Sequence, residues 1–269
     1  MSKVVWITGC ASGLGQHLAN AFVQRGYRVV ATDIDYQSLE RYAEQMAWPD
    51  TSVMCRALDV TQLSQWQQLL EEVLACWHQV DLILNVAGYL KPGFAHETSF
   101  SEIDRHIDIN VKGVMYGSQL MARQMVVQGQ GHIINIASMA SLAAIPGLTL
   151  YSASKFAVRA FSLAMAEELK GQGVKVSVIC PDAIQTPMLD LQEDYQEAAM
   201  TFSGGKPLTV DDLEKLVFET VIPKAPRESL IPLSRGILAK LGNCFPGLSS
   251  VLATHLTNKG LKAQKRRKT

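Results

Sequence analysis

One pattern constrains this chain more than any other: short, nearly unbroken apolar runs alternate with longer stretches of helical period. "KVVWI" (3–7), "RVVAT" (28–32), "SVMCRA" (52–57), "DLILN" (81–85), "GHIINIA" (131–137) and "KVSVIC" (175–180) read as strands. They lack the strict alternation of a half-exposed sheet, so both sheet faces are expected to be covered. Between them, "QHLANAFVQRG" after Gly15 and the segments 61–79, 101–128 and 150–171 carry helical periodicity. Strand, helix, strand, repeated, implies right-handed crossovers and parallel pairing. The expected class is α/β, a doubly wound parallel sheet of about seven strands with helices on both faces, "ESLIPL" (228–233) being the seventh strand.

No linker, low-complexity tract or repeat breaks the chain before residue 190, and its 269 residues are read as one catalytic unit. The five cysteines are odd in number and widely spaced, without a CxxC pair. That argues against a disulfide framework or a zinc site and for a reducing compartment, and no metal is expected. No apolar run reaches membrane-spanning length, and "MSKVVWITG" leads straight into a strand. A cytoplasmic location is the expectation. The zero net charge hides an asymmetry: residues 224–269 hold ten Lys/Arg and one acid, Glu228, for +9, leaving −9 on the remainder.

Directly after the first strand comes "TGCASGLG", with Gly9, Ser12, Gly13, Leu14 and Gly15, and then a helix. Glycines there let the backbone approach a pyrophosphate, and the helix N-terminus presents free N–H groups to the anion. This strand–turn–helix setting makes the sheet Rossmann-like. Asp33, in "ATDID", lies 18 residues after Gly15, near the spacing for an acid on an adenosine ribose. Its charge opposes a 2′-phosphate, and residues 34–38 contain no Lys or Arg to neutralise one. The expected cofactor is therefore NAD, with Asp35 as the rival ribose ligand.

Tyr151 stands four residues before Lys155 in "YSASK", so the two share one helix face. An ammonium near a phenol is expected to lower the phenol pKa from about 10 toward the working range. Tyr151 then exchanges a proton with an alcohol or carbonyl.

Taken together, "TGCASGLG" and "YSASK" resemble the short-chain dehydrogenase/reductase family in its single-domain form, over about residues 3–190. The further motifs fall in order: Asp59 with Val60 in "ALDV" at the adenine position, "LNVAG" with Asn85, Ala87 and Gly88, Asn110 in "DINVKG", Ser138 in "IINIAS", and Pro181 and Thr186 in "PDAIQT". Val86 replaces the family's second asparagine and Asp182 its glycine. The resemblance implies a catalytic set of Asn110, Ser138, Tyr151 and Lys155. Ser138 would hold the reacting oxygen, Lys155 the nicotinamide ribose, Asn110 a water leading to solvent, and Thr186 the carboxamide. Val86 is expected to matter little, since its backbone can do the work; Asp182 either caps a turn or shapes the site. A homodimer or homotetramer is also implied.

Residues 187–207 are expected to form a substrate lid, rich in apolar groups such as Met188, Leu191 and Phe202. Leu142, Ile145 and Leu148 add a second apolar wall. The expected reaction is hydride transfer between NAD(H) and an apolar secondary alcohol or ketone. The alternative is a catalytically silent dinucleotide-bound sensor or scaffold, because fold alone never fixes function. Residues 234–269 read as a helical, basic extension ending in "KRRK" (265–268). Such an end either contacts an anionic membrane surface weakly or is a solvated, frayed terminus. Without interleaved aromatics it gives no sign of nucleic-acid binding.

Overall fold

The alternation runs through seven strands and eleven α-helices among the described residues. In chain order these are β1 (Val4–Thr8), α1 (Gly13–Gln24), β2 (Arg28–Asp33), α2 (Tyr36–Gln45), β3 (Val53–Ala57), α3 (Leu63–Trp77), β4 (Leu82–Asn85), α4 (Phe100–Ile107) and α5 (Gly113–Gln128). There follow β5 (Gly131–Ile136), α6 (Thr149–Glu168), β6 (Val174–Pro181), α7 (Pro187–Gln192), α8 (Val210–Leu216), α9 (Ile222–Lys224), β7 (Glu228–Ile231), α10 (Leu233–Cys244) and α11 (Pro246–Arg267). The computed structural model describes residues 2–267, the side chains of 246 and 248–252 excepted.

All strands pair in parallel, in the order β3-β2-β1-β4-β5-β6-β7. The sheet is Rossmann-like and reverses direction of growth between β1 and β4, where a crevice opens at the strands' C-terminal ends. Every residue of β1 is buried. Val5 and Ile7 pack with Leu18 and Phe22 of α1, whereas Val4 and Trp6 pack with Trp66 of α3 and Met121 of α5. Successive side chains point to opposite faces, and each face has its own layer of helices, so Val4–Ile7 are apolar without alternation and the one polar residue, Thr8, stands at the strand's C-terminal end.

Three local features differ from expectation. The polar segment Tyr36–Gln45 forms α2, although only Leu39 among its residues is buried. Its visible signal is a cap: Asp35 accepts a hydrogen bond from the Ser38 N–H at 3.1 Å. The long helical stretch 101–128 is divided by one π turn at Asp108–Lys112. Finally, the basic end is docked rather than frayed as far as Arg267; Lys268 of "KRRK" lies outside the described residues.

The docking of α11 is close. A Cβ on Gly260 would meet the Ala199 carbonyl oxygen at 1.8 Å, so only glycine lets the helix approach. Gln264 Nε2 donates to the carbonyls of Gln192 (3.1 Å) and Tyr195 (2.9 Å). Arg267 reaches Gln185 and Glu193, each at 2.8 Å. The lid therefore consists of α7 and a 3-10 segment, Gln196–Ser203, clamped beneath α11. No described helix is long and apolar enough to cross a membrane. All five cysteines are free thiols.

Candidate active site

Parallel pairing brings the C-terminal ends of the strands to one edge, and a cavity of about 1190 Å³ runs along it. Its nucleotide end is built by the β1–α1 turn. Gly9, Ser12, Gly13, Leu14 and Gly15 all line it. A Cβ on Gly15 would stand 2.0 Å from the Gly9 carbonyl oxygen, so the turn closes this tightly only on glycine. Thr8 ties the turn to the next loop: its Oγ1 accepts from the N–H groups of Val86 and Ala87, each at 3.0 Å. Val86 thus works through its backbone, as expected.

Asp33 ends β2 at the same end of the cavity. Its Oδ2 accepts from the Ala11 N–H at 2.8 Å and its Oδ1 from the Asp35 N–H at 2.9 Å. Those bonds fix the carboxylate while leaving lone pairs on both oxygens for hydroxyl donors. Asp35 is occupied in capping α2, and the Ser38 hydrogen bonds hold its carboxyl below the usual carboxylate range. Asp59 and Val60 line the cavity beyond, with Ile34, which is 71% exposed.

In the middle of the cavity, Ser138 caps a short turn after β5, its Oγ accepting from the Ala140 N–H at 3.1 Å. Tyr151 and Lys155 project from α6, with Lys155 Nζ 5.6 Å from the Tyr151 ring centroid. Lys155 is buried and donates to the Ile136 carbonyl at 2.9 Å. Burial lowers its pKa to about 8. Tyr151 moves the other way from expectation: its apolar surroundings push it up to about 12, against a lowering hydrogen bond from Ser138. At 5.6 Å the Lys155 charge does not offset that desolvation, so the phenol is neutral at neutral pH.

Ala87, Gly88, Pro181 and Thr186 complete the cavity wall. Two expected site residues stand behind it. Asn85 is buried, and its Nδ2 donates to Ser118 Oγ (3.1 Å) and Asn135 Oδ1 (2.8 Å). It belongs to a polar network between the sheet and its α5–α6 layer, because its strand position turns the side chain to that face. Asn110 is also fully buried, in the π turn. Its Oδ1 accepts from the Tyr89 N–H at 2.7 Å, while its Nδ2 donates to the Tyr89 carbonyl (2.8 Å) and Ser154 Oγ (3.0 Å). Its amide staples the loop after Gly88 rather than lining the cavity.

A glycine turn at a strand–helix junction, an acid at the end of the next strand and a Ser, a Tyr and a Lys thus line one cavity. A model of the short chain dehydrogenase family matches residues 3–197. The chain belongs to the short-chain dehydrogenase/reductase family. Among its relatives, 2-(R)-hydroxypropyl-CoM dehydrogenase of Xanthobacter autotrophicus is 34% identical over 202 residues, 73% of this chain and 80% of the relative. NADP-dependent 3-hydroxy acid dehydrogenase of Salmonella typhi is 30% identical over 221 residues, 80% and 87% of the two chains. A solved short-chain dehydrogenase/reductase of Burkholderia phymatum, in complex with NAD, superposes with a TM-score of 0.83 at 27% identity, covering 92% of this chain and 95% of the other. Both nicotinamide dinucleotides thus occur among these relatives.

Within this family frame, the dinucleotide has a fitting site: a turn that excludes any Cβ at Gly15, and a fixed carboxylate with free lone pairs. The substrate side departs from the family pattern. Asp182, at the family's glycine position, pairs with Arg235 of α10 at 2.5 Å. It shapes the site. Leu238 and Ala239 of α10 and Thr254 and Leu256 of α11 also line the cavity, none of which the sequence had marked. Their only sequence signal was helical period after residue 234.

Proposed function

We propose that this oxidoreductase is an NAD(H)-dependent alcohol dehydrogenase/ketone reductase whose substrate has a largely apolar body. The supporting observation is convergence: Ser138, Tyr151 and Lys155 line the same cavity as the Gly15 turn and Asp33. When bound, the nicotinamide supplies or accepts the hydride. Gly9–Gly15 would cradle the pyrophosphate, Asp33 the adenosine ribose, Asp59 and Val60 the adenine, and Thr186 the carboxamide.

The chain's own residues handle the proton. Tyr151 is a neutral phenol with its hydroxyl beside Ser138, the form that donates a proton to a carbonyl oxygen. Ser138 donates a second hydrogen bond to that oxygen as charge develops. Lys155 is anchored by the Ile136 carbonyl, and its cation favours the phenolate left behind. Asn110 acts one step back: by fixing the Tyr89 backbone it positions the loop that begins at Gly88. Ile145, Leu148, Met188, Leu189 and Met200 make the substrate walls apolar, favouring a greasy substrate body.

NAD is favoured over NADP by Asp33, whose charge opposes a 2′-phosphate, and by the absence of any Lys or Arg at 34–38. A panel of ketones and alcohols with both cofactors, followed by nicotinamide absorbance, tests the reading. Ketone-dependent NADH oxidation that requires Tyr151 is the expected result. Tight NADH binding with no turnover of any carbonyl would return the chain to the sensor or scaffold reading.

A further inference from the structure

The far wall of the substrate cavity is not uniformly apolar. Arg235 from α10 and Ser203 from the lid both line it. Ser203 is 3% exposed, and its Oγ has no hydrogen-bond partner. That hydroxyl is closed off from the cavity as well as from solvent, and it carries a desolvation penalty that an acceptor would relieve once the lid shifts to admit it. Arg235 is its neighbour: a Cβ on Gly204 would sit 1.9 Å from Arg235 Nη1, so the glycine admits the guanidinium against the Ser203–Gly204 backbone. A side pocket of about 280 Å³ shares Asp182, Thr201 and Arg235 with the main cavity and adds Lys206 and Arg267.

The charges are distributed unevenly along the cavity. Asp33 and Asp59 bound the nucleotide end. Of the described cations that line the cavity, Lys155 is bound to Ile136 and Arg105 lies over the Tyr89 ring at 4.2 Å. Arg235 is the one at the substrate end. Around the side pocket, Lys206, Arg235 and Arg267 face two carboxylates, Asp182 on Arg235 and Glu193 on Arg267.

We propose that Arg235 and Ser203, backed by Lys206 and Arg267, form an anion subsite for the carboxylate or sulfonate of an otherwise apolar ketone or alcohol. The subsite rests on the reading of this cavity as a ketone/alcohol site and narrows its substrate class. A guanidinium carries five N–H donors in a planar fork, so the Asp182 contact leaves others for a second oxyanion. Asp182 serves as an internal counter-ion: it holds Arg235 at the wall in the empty site and competes with the incoming anion. Burial pushes its carboxyl up against the lowering influence of Arg235. Ser138 and Asp182 follow the paired strands β5 and β6, whose ends stand about one strand spacing, ~5 Å, apart, so the subsite lies beside the reacting centre rather than at the far end of the cavity.

The test is steady-state kinetics with NADH and a ladder of oxo-carboxylates that differ in the number of methylenes between ketone and carboxylate. Each is assayed beside its methyl ester and its sulfonate analogue. The wild type should favour the carboxylate over its ester by about tenfold or more in kcat/KM, through KM, with an optimum along the ladder. The sulfonate arm shows which oxyanion fits better. Arg235→Gln should bring the acid-to-ester ratio near one, and Ser203→Ala should lower it a few-fold. Asp182→Asn should raise the ratio, because it removes the competitor. Equal use of acid and ester by the wild type would overturn the subsite while leaving ketone reduction standing. So would Asp182→Asn and Arg235→Gln lowering the ratio alike, since that marks the pair as a structural tie. If no ketone is turned over, calorimetric binding of the same carboxylates to the NAD-loaded protein decides. Binding weakened by Arg235→Gln upholds the subsite though the catalytic reading falls; no binding overturns it.

Discussion

The nucleotide end and the substrate end of the cavity are built by different means. At the nucleotide end the parts are mostly backbone: the Gly9–Gly15 turn, the N–H groups of Val86 and Ala87 on Thr8, and the N–H groups that hold Asp33. These parts hang on strands buried along most or all of their length, with few degrees of freedom left. At the substrate end the parts are side chains from separate segments: the lid, the residue after β6, α10 and α11. They are held by ion pairs such as Asp182–Arg235 and Glu193–Arg267 and by the packing of α11 on the lid. Backbone contacts demand particular residues at fixed spacing, whereas a side-chain wall can be rebuilt with many compositions. On the proposed function, one sheet would support a fixed cofactor grip and a changeable substrate wall.

The severest test of this division lies at its seam. Tyr151→Phe should lower kcat by about a hundred- to ten-thousand-fold, with NADH affinity within a few-fold, because only the hydroxyl moves a proton. Fluorescence titration with NADH beside turnover assays checks it. Cofactor binding lost in parallel with activity would merge the two ends that the structure keeps apart.

Paired glycine substitutions come next. Gly15→Ala forces a Cβ against the Gly9 carbonyl and should weaken NADH binding and cost about 1–3 kcal/mol of stability. Gly205→Ala, just after the lid, meets nothing within 4 Å and should stay within about 0.5 kcal/mol. Thermal melts and NADH titrations of both variants measure the asymmetry directly.

Asp33→Ala should shift relative use from NAD toward NADP by about ten- to a hundredfold, the scale of one or two charge-assisted hydrogen bonds. Ketone affinity should hardly change if the ends are independent, and the ratio of kcat/KM for the two cofactors reads this out. A separate test reaches the sheet beneath both ends. His132 on β5 is buried beside Ser177, and burial lowers its pKa from the ordinary 6.5 to about 4. Below pH 6.5 the unfolded chain takes up a proton that the fold refuses. This residue's part of the stability should therefore fall as pH drops from 6.5 toward about 4, by up to about 1.4 kcal/mol per pH unit. Denaturation of the wild type and His132→Gln across that range should show a shallower acid limb in the variant.

The sequence by itself determined the sheet and the glycine turn after its first strand. Strands buried on both faces must be continuous in apolar residues, as at Val4–Thr8, and a turn that approaches a pyrophosphate must contain glycine, as at Gly15. Tyr151 and Lys155 were equally legible, because one helical turn fixes their shared face. Tertiary structure alone decided the rest. Asn85 and Asn110 sit at recognisable motif positions, but their buried neighbours turn them into the supports behind the wall. The height of the Tyr151 pKa is set by the apolar atoms packed around the phenol, which no spacing encodes. Arg235 meets Asp182 across 53 residues, and α11 closes over the lid from the end of the chain. Local periodicity records which face of an element is apolar; it does not record which distant element will cover it, since that is fixed only when the whole chain packs.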